Sequence, residues 1–177
     1  IGDRSTIREC VTINRGTKAY GKTVVGKDCL IMAYVHIAHD CIIGDHVILV
    51  NSVALAGHVE IGDYGIVSGL SAVHQFVKIG AHVMIGGGAM VRKDVPPFIT
   101  AAGEPLAYAG VNSVGLKRRN FSQEDINEIQ TLYRTLYQRG MNVSQAVNRI
   151  KETYSKLPVA DAILSFIEQS DRGLIRK

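Results

Sequence analysis

The stretch IAHDCIIGDHVILVNSVALAGHVEIG, residues 37–62, places a large aliphatic residue at every sixth position. The column continues in both directions from Ile1 to Val91, and Ala19 is its only small member. Two residues before each position lies a second column of small or β-branched residues, here Cys41, Val47, Val53 and Val59. This period predicts a hexapeptide parallel β-helix, in which three hexads form one triangular coil and both columns point inward.

Glycine corners mark the length of the coil. They recur every eighteen residues, at Gly26, Gly44, Gly62 and Gly80. We expect glycine at these corners because it tolerates positive φ. Ile1 lies 24 residues before Val25, which predicts about six extra residues in that coil. The polar segment NRGTKAYGKT, residues 14–23, is the predicted external loop.

The β-helix is predicted to span residues 1–98. Because Ile1 already lies on the aliphatic column, we expect further N-terminal coils to precede it. Pro96 and Pro97 cannot continue a paired strand and end the repeat. An irregular linker rich in glycine, alanine and proline is predicted at residues 99–115.

Residues 116–177 are predicted to form a helical C-terminal domain. The segment from Ser122 to Asp125 has the form of a capping box and opens a first helix. Apolar residues at helical spacing predict two further helices, the last of which begins at Pro158. The predicted fold class is therefore mainly β, with a left-handed parallel β-helix followed by a small α-helical C-terminal domain.

Composition narrows the class of protein. A chain of 177 residues with 46% hydrophobic and 20% charged residues is typical of a globular protein. It contains no apolar run of membrane-spanning length, so no transmembrane segment is expected. Its three cysteines show no CxxC spacing, which argues against a disulfide framework and favours a cytoplasmic location. The net charge of +4 suggests an acidic partner but does not choose among a phosphorylated metabolite, an acidic protein and nucleic acid.

Four histidines fall on neither inward column and are predicted to point outward: His36, His39, His58 and His74. They occupy neighbouring positions within the coil on three consecutive coils, so they lie along one edge of the prism. Stacked strands rise roughly 4.8 Å per coil, which gives a spread on the order of 10 Å, the size of an active site. The other two histidines, His46 and His82, lie elsewhere in the coil, and we expect both to face solvent.

The histidine edge suits acid–base chemistry. An imidazole with an ordinary pKa near 6.5 serves as a general base, and a carboxylate orients it. His39 and Asp40 supply both groups, although neighbours on a strand point to opposite faces, so a turn must bring the two side chains together. Gly57 precedes His58 and leaves a backbone N–H open to close approach, as an oxyanion donor requires.

Five motifs in this order resemble a known family: HIAHDC (36–41), LAGHV (55–59), AVHQF (72–76), IGAHVMIGG (79–87) and GLKRR (115–119). They are similar to those of the acyl-ACP:UDP-N-acetylglucosamine O-acyltransferases of lipid A biosynthesis. The resemblance implies a homotrimer of parallel prisms with active sites in the clefts between subunits. It also implies transfer of an (R)-3-hydroxyacyl group from acyl carrier protein to the glucosamine 3-hydroxyl of UDP-N-acetylglucosamine. It implies no cofactor, because phosphopantetheine on the carrier protein holds the acyl donor, and no nucleic-acid partner.

The same resemblance assigns roles to residues. His39 would be the general base, Asp40 its partner and the Gly57 amide the oxyanion donor. The residues that would bind the sugar nucleotide or line the cleft are His36, His58, His74 and Gln75. Asn112 matches a uridine-contacting position, and Arg118 with Arg119 matches the pair that contacts the diphosphate. Arginine forks suit phosphate oxygens on independent grounds.

Three further positions bear on specificity. Gly87 matches the position that limits acyl-chain length in the family, and glycine there predicts a relatively long chain. Val114 stands where the family carries an acid that contacts uridine. Asn14 stands where the family often carries histidine.

Three other functions are compatible with parts of this pattern. One is the N-acyltransferase that acts later in the same pathway, which shares the solenoid and the histidine base. Another is a zinc carbonic anhydrase on the same prism, in which outward histidines bind the metal; the metal-free reading is preferred because that enzyme gives Asp40 and the arginine pair no role. The third is an inert scaffold. A fold alone does not distinguish these functions.

Overall fold

The computed structural model describes residues 1–137, 140–154 and 157–176. Its first part is a parallel β-solenoid of short strands. They are β1 (Thr6–Ile7), β2 (Thr12–Ile13), β3 (Val24–Val25), β4 (Leu30–Ile31), β5 (His36–Ile37), β6 (Ile42–Ile43), β7 (Ile48–Leu49), β8 (Ala54–Leu55), β9 (Glu60–Ile61), β10 (Ile66–Val67), β11 (Ala72–Val73), β12 (Lys78–Ile79), β13 (Met84–Ile85) and β14 (Met90–Val91). The predicted parallel β-helix is confirmed.

The strands form three sheets that close a triangular prism. Sheet A contains β1-β4-β7-β10-β13, sheet B contains β2-β5-β8-β11-β14, and sheet C contains β3-β6-β9-β12. Successive turns of the chain therefore lie at an A–B corner, a B–C corner and a C–A corner. The external loop predicted at residues 14–23 lies between β2 and β3, which places it at the B–C corner.

The two inward columns form the core, as predicted. On the aliphatic column Ile31, Ile37 and Leu49 are fully buried, and on the small column Val35 and Cys41 are fully buried. Each core side chain stacks on the one a coil above it, because strands pair in register along the axis. Two columns of six-residue period thus become one continuous apolar core.

The corner glycines serve a different purpose from the one predicted. Positive φ occurs two residues later in each turn, for example at His46 (φ 57) and Tyr64 (φ 59), and not at the glycines. At Gly62 a Cβ atom would lie 2.6 Å from the backbone N of Ala81 in the next coil. Glycine is required here because neighbouring coils approach too closely for a side chain.

Residues 99–115 are not the irregular linker predicted. They contain β15 (Ile99–Ala102), which pairs in parallel with β13, and β16 (Ala107–Val111), which pairs antiparallel with β15. Ile99 and Ala101 are fully buried, so the inward pattern continues past the two prolines that interrupt the hexads. Prolines end the repeat but not sheet A.

In the described part of the chain four helices follow: α1 (Ser113–Arg118), α2 (Gln123–Leu136), α3 (Val143–Tyr154) and α4 (Pro158–Glu168). The predicted capping box is present, because the Asp125 N–H donates to Ser122 Oγ at 3.0 Å and Ser122 N–H donates to Asp125 Oδ2 at 2.9 Å. The buried face of α2 packs against β16 and the other helices. It includes Ile126, Ile129, Leu132, Tyr133 and Leu136.

A buried carboxylate attaches the C-terminal segment to the end of the solenoid. Asp94 is fully buried and accepts hydrogen bonds from Ser170 Oγ at 2.6 Å and from the Arg172 N–H at 3.2 Å. It also accepts from the Lys78 N–H of β12 at 2.8 Å. Since an unpaired buried carboxylate is costly, these donors keep the segment in place.

We predict that Gly62→Ala lowers the free energy of unfolding by about 1–3 kcal/mol, because the new methyl group overlaps the backbone of the next coil. Gly87→Ala is the matched control, since a Cβ there would lie 3.5 Å from Gly69 O, an ordinary contact. We expect the control to stay within about 0.5 kcal/mol of the parent protein. Urea unfolding measures both, and equal stabilities for the two variants would contradict the close-approach explanation.

Candidate active site

A histidine–carboxylate pair lies at the B–C corner, in the turn after β5. Asp40 is the left-handed residue of that turn, with φ 59. This conformation turns its carboxylate back toward the preceding side chain, and His39 Nδ1 lies 2.9 Å from Asp40 Oδ2. The turn thus removes the strand geometry that would have separated the two side chains. The His39 side chain is 44% exposed, whereas that of Asp40 is fully buried.

Hydrogen bonds from the external loop hold the Asp40 carboxylate. Thr17 Oγ1 donates to Oδ2 at 2.6 Å, and the Thr17 N–H donates to Oδ1 at 3.0 Å. The Tyr20 N–H donates to Oδ1 at 3.3 Å. Burial raises the pKa of the Asp40 carboxyl, but the bonds from Thr17 and His39 outweigh it and lower that pKa to about 2. Asp40 is therefore ionised at neutral pH and acts only as an acceptor.

Gly57 lies directly against the His39 ring, one coil further along. A Cβ atom at Gly57 would come within 2.6 Å of His39 Cε1 and 2.8 Å of His39 Nε2. Among the described residues the Gly57 N–H has no hydrogen-bond partner. A side chain at this position would displace the imidazole, so glycine both makes room for the ring and leaves its backbone N–H available beside it.

His58 completes the cluster at the same corner. Its ring packs edge-on to His39, with centroids 5.2 Å apart, and its Nε2 lies 3.9 Å from Asp40 Oδ2. Phe76 stacks on the other side at 4.6 Å, and Tyr20 packs edge-on at 5.0 Å. In the part of the chain that the structure describes, His58 Nδ1 is buried without a hydrogen-bond partner.

The remaining predicted residues of this edge lie beside the cluster. His36 is on β5, where its Nδ1 lies 2.7 Å from Thr12 Oγ1 of the previous coil. His74 and Gln75 follow β11 at the B–C corner, and both are exposed. The outward orientation predicted for the four histidines is confirmed, although His58 is only 13% exposed.

Sequence reasoning missed three residues of the cluster. Thr17 and Tyr20 lie in a loop that interrupts the repeat, so the hexad pattern gave no information on what they contact. Phe76 was detectable, because it stands eighteen residues after His58 and therefore one coil above it at the same corner. Two outward residues that are eighteen positions apart are thus predicted to contact each other, just as two inward residues are.

The C–A corner carries a second stack of rings, and here one prediction was wrong. His82 was expected to face solvent, but it stacks between Tyr64, at 5.0 Å, and Phe98, at 5.7 Å, with Phe121 edge-on at 5.0 Å. Burial, with the nearby Arg119 charge, lowers the pKa of His82 to about 4. The C-terminal region covers this histidine, which periodicity in the solenoid does not reveal. His46, one coil before Tyr64, stacks on the Tyr64 ring and extends the same stack of aromatic rings.

The predicted nucleotide-binding residues lie at this C–A corner, away from His39 in the same chain. Asn112 is buried, its Nδ2 donates to His82 O at 2.9 Å and its Oδ1 accepts from the Gly115 N–H at 3.1 Å. Arg119 lies over the Tyr64 ring, 5.1 Å from its centroid, while Arg118 is exposed. Val114, the departure from the family pattern, is also exposed.

Within the described residues, one Arg119 atom, Nη1, is buried without a hydrogen-bond partner. Burial lowers the pKa of this guanidinium. Gly87 lies at the third corner, A–B, where it is exposed and has room for a side chain.

His39, Asp40 and His58 also present ligand atoms within 4.8 Å of one another, as a metal site would require. Both Asp40 oxygens, however, already accept hydrogen bonds from the loop, and Oδ2 also faces His39 Nδ1. A metal would have to displace these donors. The arrangement therefore suits a base and its orienting carboxylate better than a metal centre.

Of the helices that the structure describes, none is both long enough and apolar enough to span a bilayer.

Comparisons with known proteins agree with this fold. Residues 22–57 match the family described as bacterial transferase hexapeptide (six repeats), and residues 94–175 match Udp N-acetylglucosamine O-acyltransferase, domain 2. The solved structure of the Francisella novicida UDP-N-acetylglucosamine acyltransferase is 44% identical, with a TM-score of 0.94, over 99% of this chain and 65% of that one. The corresponding Arabidopsis enzyme is 35% identical, with a TM-score of 0.93, over 98% of this chain and 64% of that one.

A curated protein from Janthinobacterium sp. (strain Marseille) is named acyl-[acyl-carrier-protein]–UDP-N-acetylglucosamine O-acyltransferase. It is 50% identical over 181 residues, which cover 99% of this chain and 69% of that protein. This chain thus spans roughly two thirds of the length of its relatives. Because half of its residues are identical to those of this curated protein along nearly its whole length, the chain belongs to the acyl-ACP:UDP-N-acetylglucosamine O-acyltransferase family.

Proposed function

We propose that the protein transfers an (R)-3-hydroxyacyl group from the thioester of acyl carrier protein to the 3-hydroxyl of UDP-N-acetylglucosamine, the first step of lipid A biosynthesis. The observation that carries this proposal is the His39–Asp40 pair, exposed on its His39 side and packed against the backbone of Gly57. A base and a free backbone donor placed side by side are what acyl transfer to a hydroxyl requires. Family membership supplies the substrates.

The proposed reaction begins with His39. Its Nδ1–H donates to ionised Asp40, so Nε2 carries the lone pair that accepts the proton of the sugar hydroxyl. The hydroxyl oxygen attacks the thioester carbonyl, and the Gly57 N–H donates to the resulting oxyanion. The intermediate collapses by breaking the carbon–sulfur bond, and the thiolate takes the proton from His39. The products are the ester and the free thiol of the carrier protein.

This reaction needs no cofactor from the protein. The thioester already activates the acyl group, and phosphopantetheine carries it on the donor. We assign His58 to the sugar-binding surface because its ring packs against His39, with centroids 5.2 Å apart. We assign His36, His74 and Gln75 to the same sugar-nucleotide surface, because they lie at or next to the B–C corner.

In one prism the residues assigned to the site lie at two different corners. Arg118, Arg119 and Asn112 lie at the C–A corner, where Asn112 is bonded to His82 O, so in one prism they are separated from His39 by a sheet. We propose that a neighbouring subunit of a homotrimer brings its arginines to the diphosphate. The outward row Leu30, Ile48, Ile66 and Met84 of sheet A is apolar and suits such a contact.

We place the enzyme in the cytoplasm. Its three cysteines are free, and Cys10 is exposed, which fits a reducing compartment.

We predict that His39→Ala lowers transfer by about 100-fold or more, because the base is lost. The matched control is His46→Ala, which removes a histidine from the C–A corner. It should retain activity close to that of the parent protein. The measurement is transfer of a labelled 3-hydroxyacyl group from acyl carrier protein to UDP-N-acetylglucosamine by the full-length protein. Activity that survives His39→Ala would refute the assigned base, and a folded parent protein without transfer would refute the acceptor.

We predict that a strong chelator leaves the transfer rate unchanged, because both Asp40 oxygens are occupied by hydrogen-bond donors. The check is the same assay with and without chelator, alongside elemental analysis of the purified protein. Stoichiometric zinc, together with loss of activity on its removal, would favour the metal-site alternative.

We predict that Gly87→Met shifts the enzyme toward shorter acyl donors while leaving its thermal stability unchanged. Gly87 is exposed with room for a side chain, so its glycine is not required by the fold, and a bulky residue would narrow the proposed acyl groove. Competition between donors of different chain length measures the preference. An unchanged preference in a stable variant would exclude Gly87 from the groove.

A further inference from the structure

The external loop, residues 14–23, interrupts the hexad repeat and encloses one side chain of the solenoid. Both of its arms contact Asp40. Thr17 and Tyr20 bond to the carboxylate, and Thr23 Oγ1 accepts from the Asp40 N–H at 2.9 Å. Because the residue is fully buried, the loop supplies donors that water supplies to an exposed carboxylate.

The Thr17 hydroxyl has a defined direction. It accepts a hydrogen bond from the Ala19 N–H at 3.2 Å, and its single proton must go to Asp40 Oδ2 at 2.6 Å, since an ionised carboxylate only accepts. The turn is closed by the Gly21 N–H, which donates to Thr17 O at 2.7 Å. The loop therefore presents Thr17 to one oxygen of Asp40 in a single orientation.

That oxygen is the one that faces His39. Oδ2 receives the Thr17 hydroxyl at 2.6 Å and His39 Nδ1 at 2.9 Å. The Thr17 N–H is shared between Oδ1, at 3.0 Å, and Oδ2, at 3.1 Å, and the Tyr20 N–H bonds to Oδ1 alone. A carboxylate held by one donor alone is free to rotate about its terminal bond. Donors on both oxygens prevent this rotation and keep Oδ2 aimed at the imidazole.

We propose that Thr17 is a positioning residue that acts through Asp40 to hold His39 with its proton on Nδ1 and its Nε2 free to accept the proton of the substrate hydroxyl. This inference rests on the proposed function for its link to acyl transfer. The part of the inference that concerns the tautomer of His39 does not depend on which substrate the protein uses.

The experiment uses Thr17→Val and Thr17→Ser in the full-length protein. Thr17→Val keeps the shape of the side chain and the backbone N–H but removes the hydroxyl, whereas Thr17→Ser keeps the hydroxyl. Thr17→Ala replaces Thr17→Val if thermal unfolding shows that the valine variant does not fold. Thr131→Val, which removes a hydroxyl on α2, is the matched control for the loss of a threonine.

We expect Thr17→Val to lower kcat about tenfold or more and to change KM for UDP-N-acetylglucosamine by less than about twofold, because outer partners of a reacting group contribute on this scale. The kcat of Thr17→Ser and of Thr131→Val should stay within about threefold of that of the parent protein.

The second measurement is of the His39 tautomer. In nitrogen-15 NMR spectra of the histidines, the parent His39 should be protonated on Nδ1, and Thr17→Val should lose this preference.

Two results would overturn the proposal. One is an unchanged His39 tautomer in a folded Thr17→Val protein. The other is equal loss of kcat in the serine and valine variants, which would assign the effect to packing. If the parent protein shows the Nδ1 tautomer and its loss in Thr17→Val but makes no product, the positioning inference holds and the acceptor assignment fails.

Discussion

One left-handed residue in each turn is the constraint on which the rest of the structure depends. Strands of two residues are too short to hold a prism together unless every turn bends the chain by the same amount, and a residue with φ near 60°, such as Asp40 or His58, provides that bend. Non-glycine residues accept this conformation at an energetic cost, which the pairing of neighbouring coils and the buried columns must offset. The regular bend keeps both columns in phase along the axis.

The same bend creates the site. A side chain at the left-handed position of a turn leaves the coil at a corner, and so does the residue before it. At the B–C corner these two positions hold Asp40 and His39, and one coil further they hold His58 and Gly57. Stacking of identical turns then superimposes His39 on Gly57 without any further element. The proposed base and oxyanion donor are thus neighbours because of the repeat itself.

Much of this was predictable from the sequence, since hexad phase determines which side chains are buried. The outward histidines, the external loop and the buried columns followed from it, and the capping box with apolar residues at helical spacing predicted α2, α3 and α4 but not α1. The role of the corner glycines and the strands within residues 99–115 were predicted wrongly because the hexad pattern gives neither backbone φ nor pairing beyond the repeat. The other contacts that were missed arise where segments outside the hexad register cover the solenoid. Phe121 and Arg119 approach His82 from beyond the repeat, and Thr17 reaches Asp40 from a loop outside the hexad register. Such contacts leave no periodic signal, so they become visible only in three dimensions.

His58 and His82 show how covering decides the chemistry of equivalent positions. Both occupy the left-handed place of a turn, and both stack on aromatic rings of adjacent coils. At the C–A corner α1 and Phe121 close over His82, whose pKa falls to about 4 and whose ring serves packing. At the B–C corner the loop bonds to Asp40 and packs Tyr20 against His58, but it leaves His39 partly exposed. The repeat places histidines at both corners, and the segment that folds over each corner determines whether a ring remains available to a substrate.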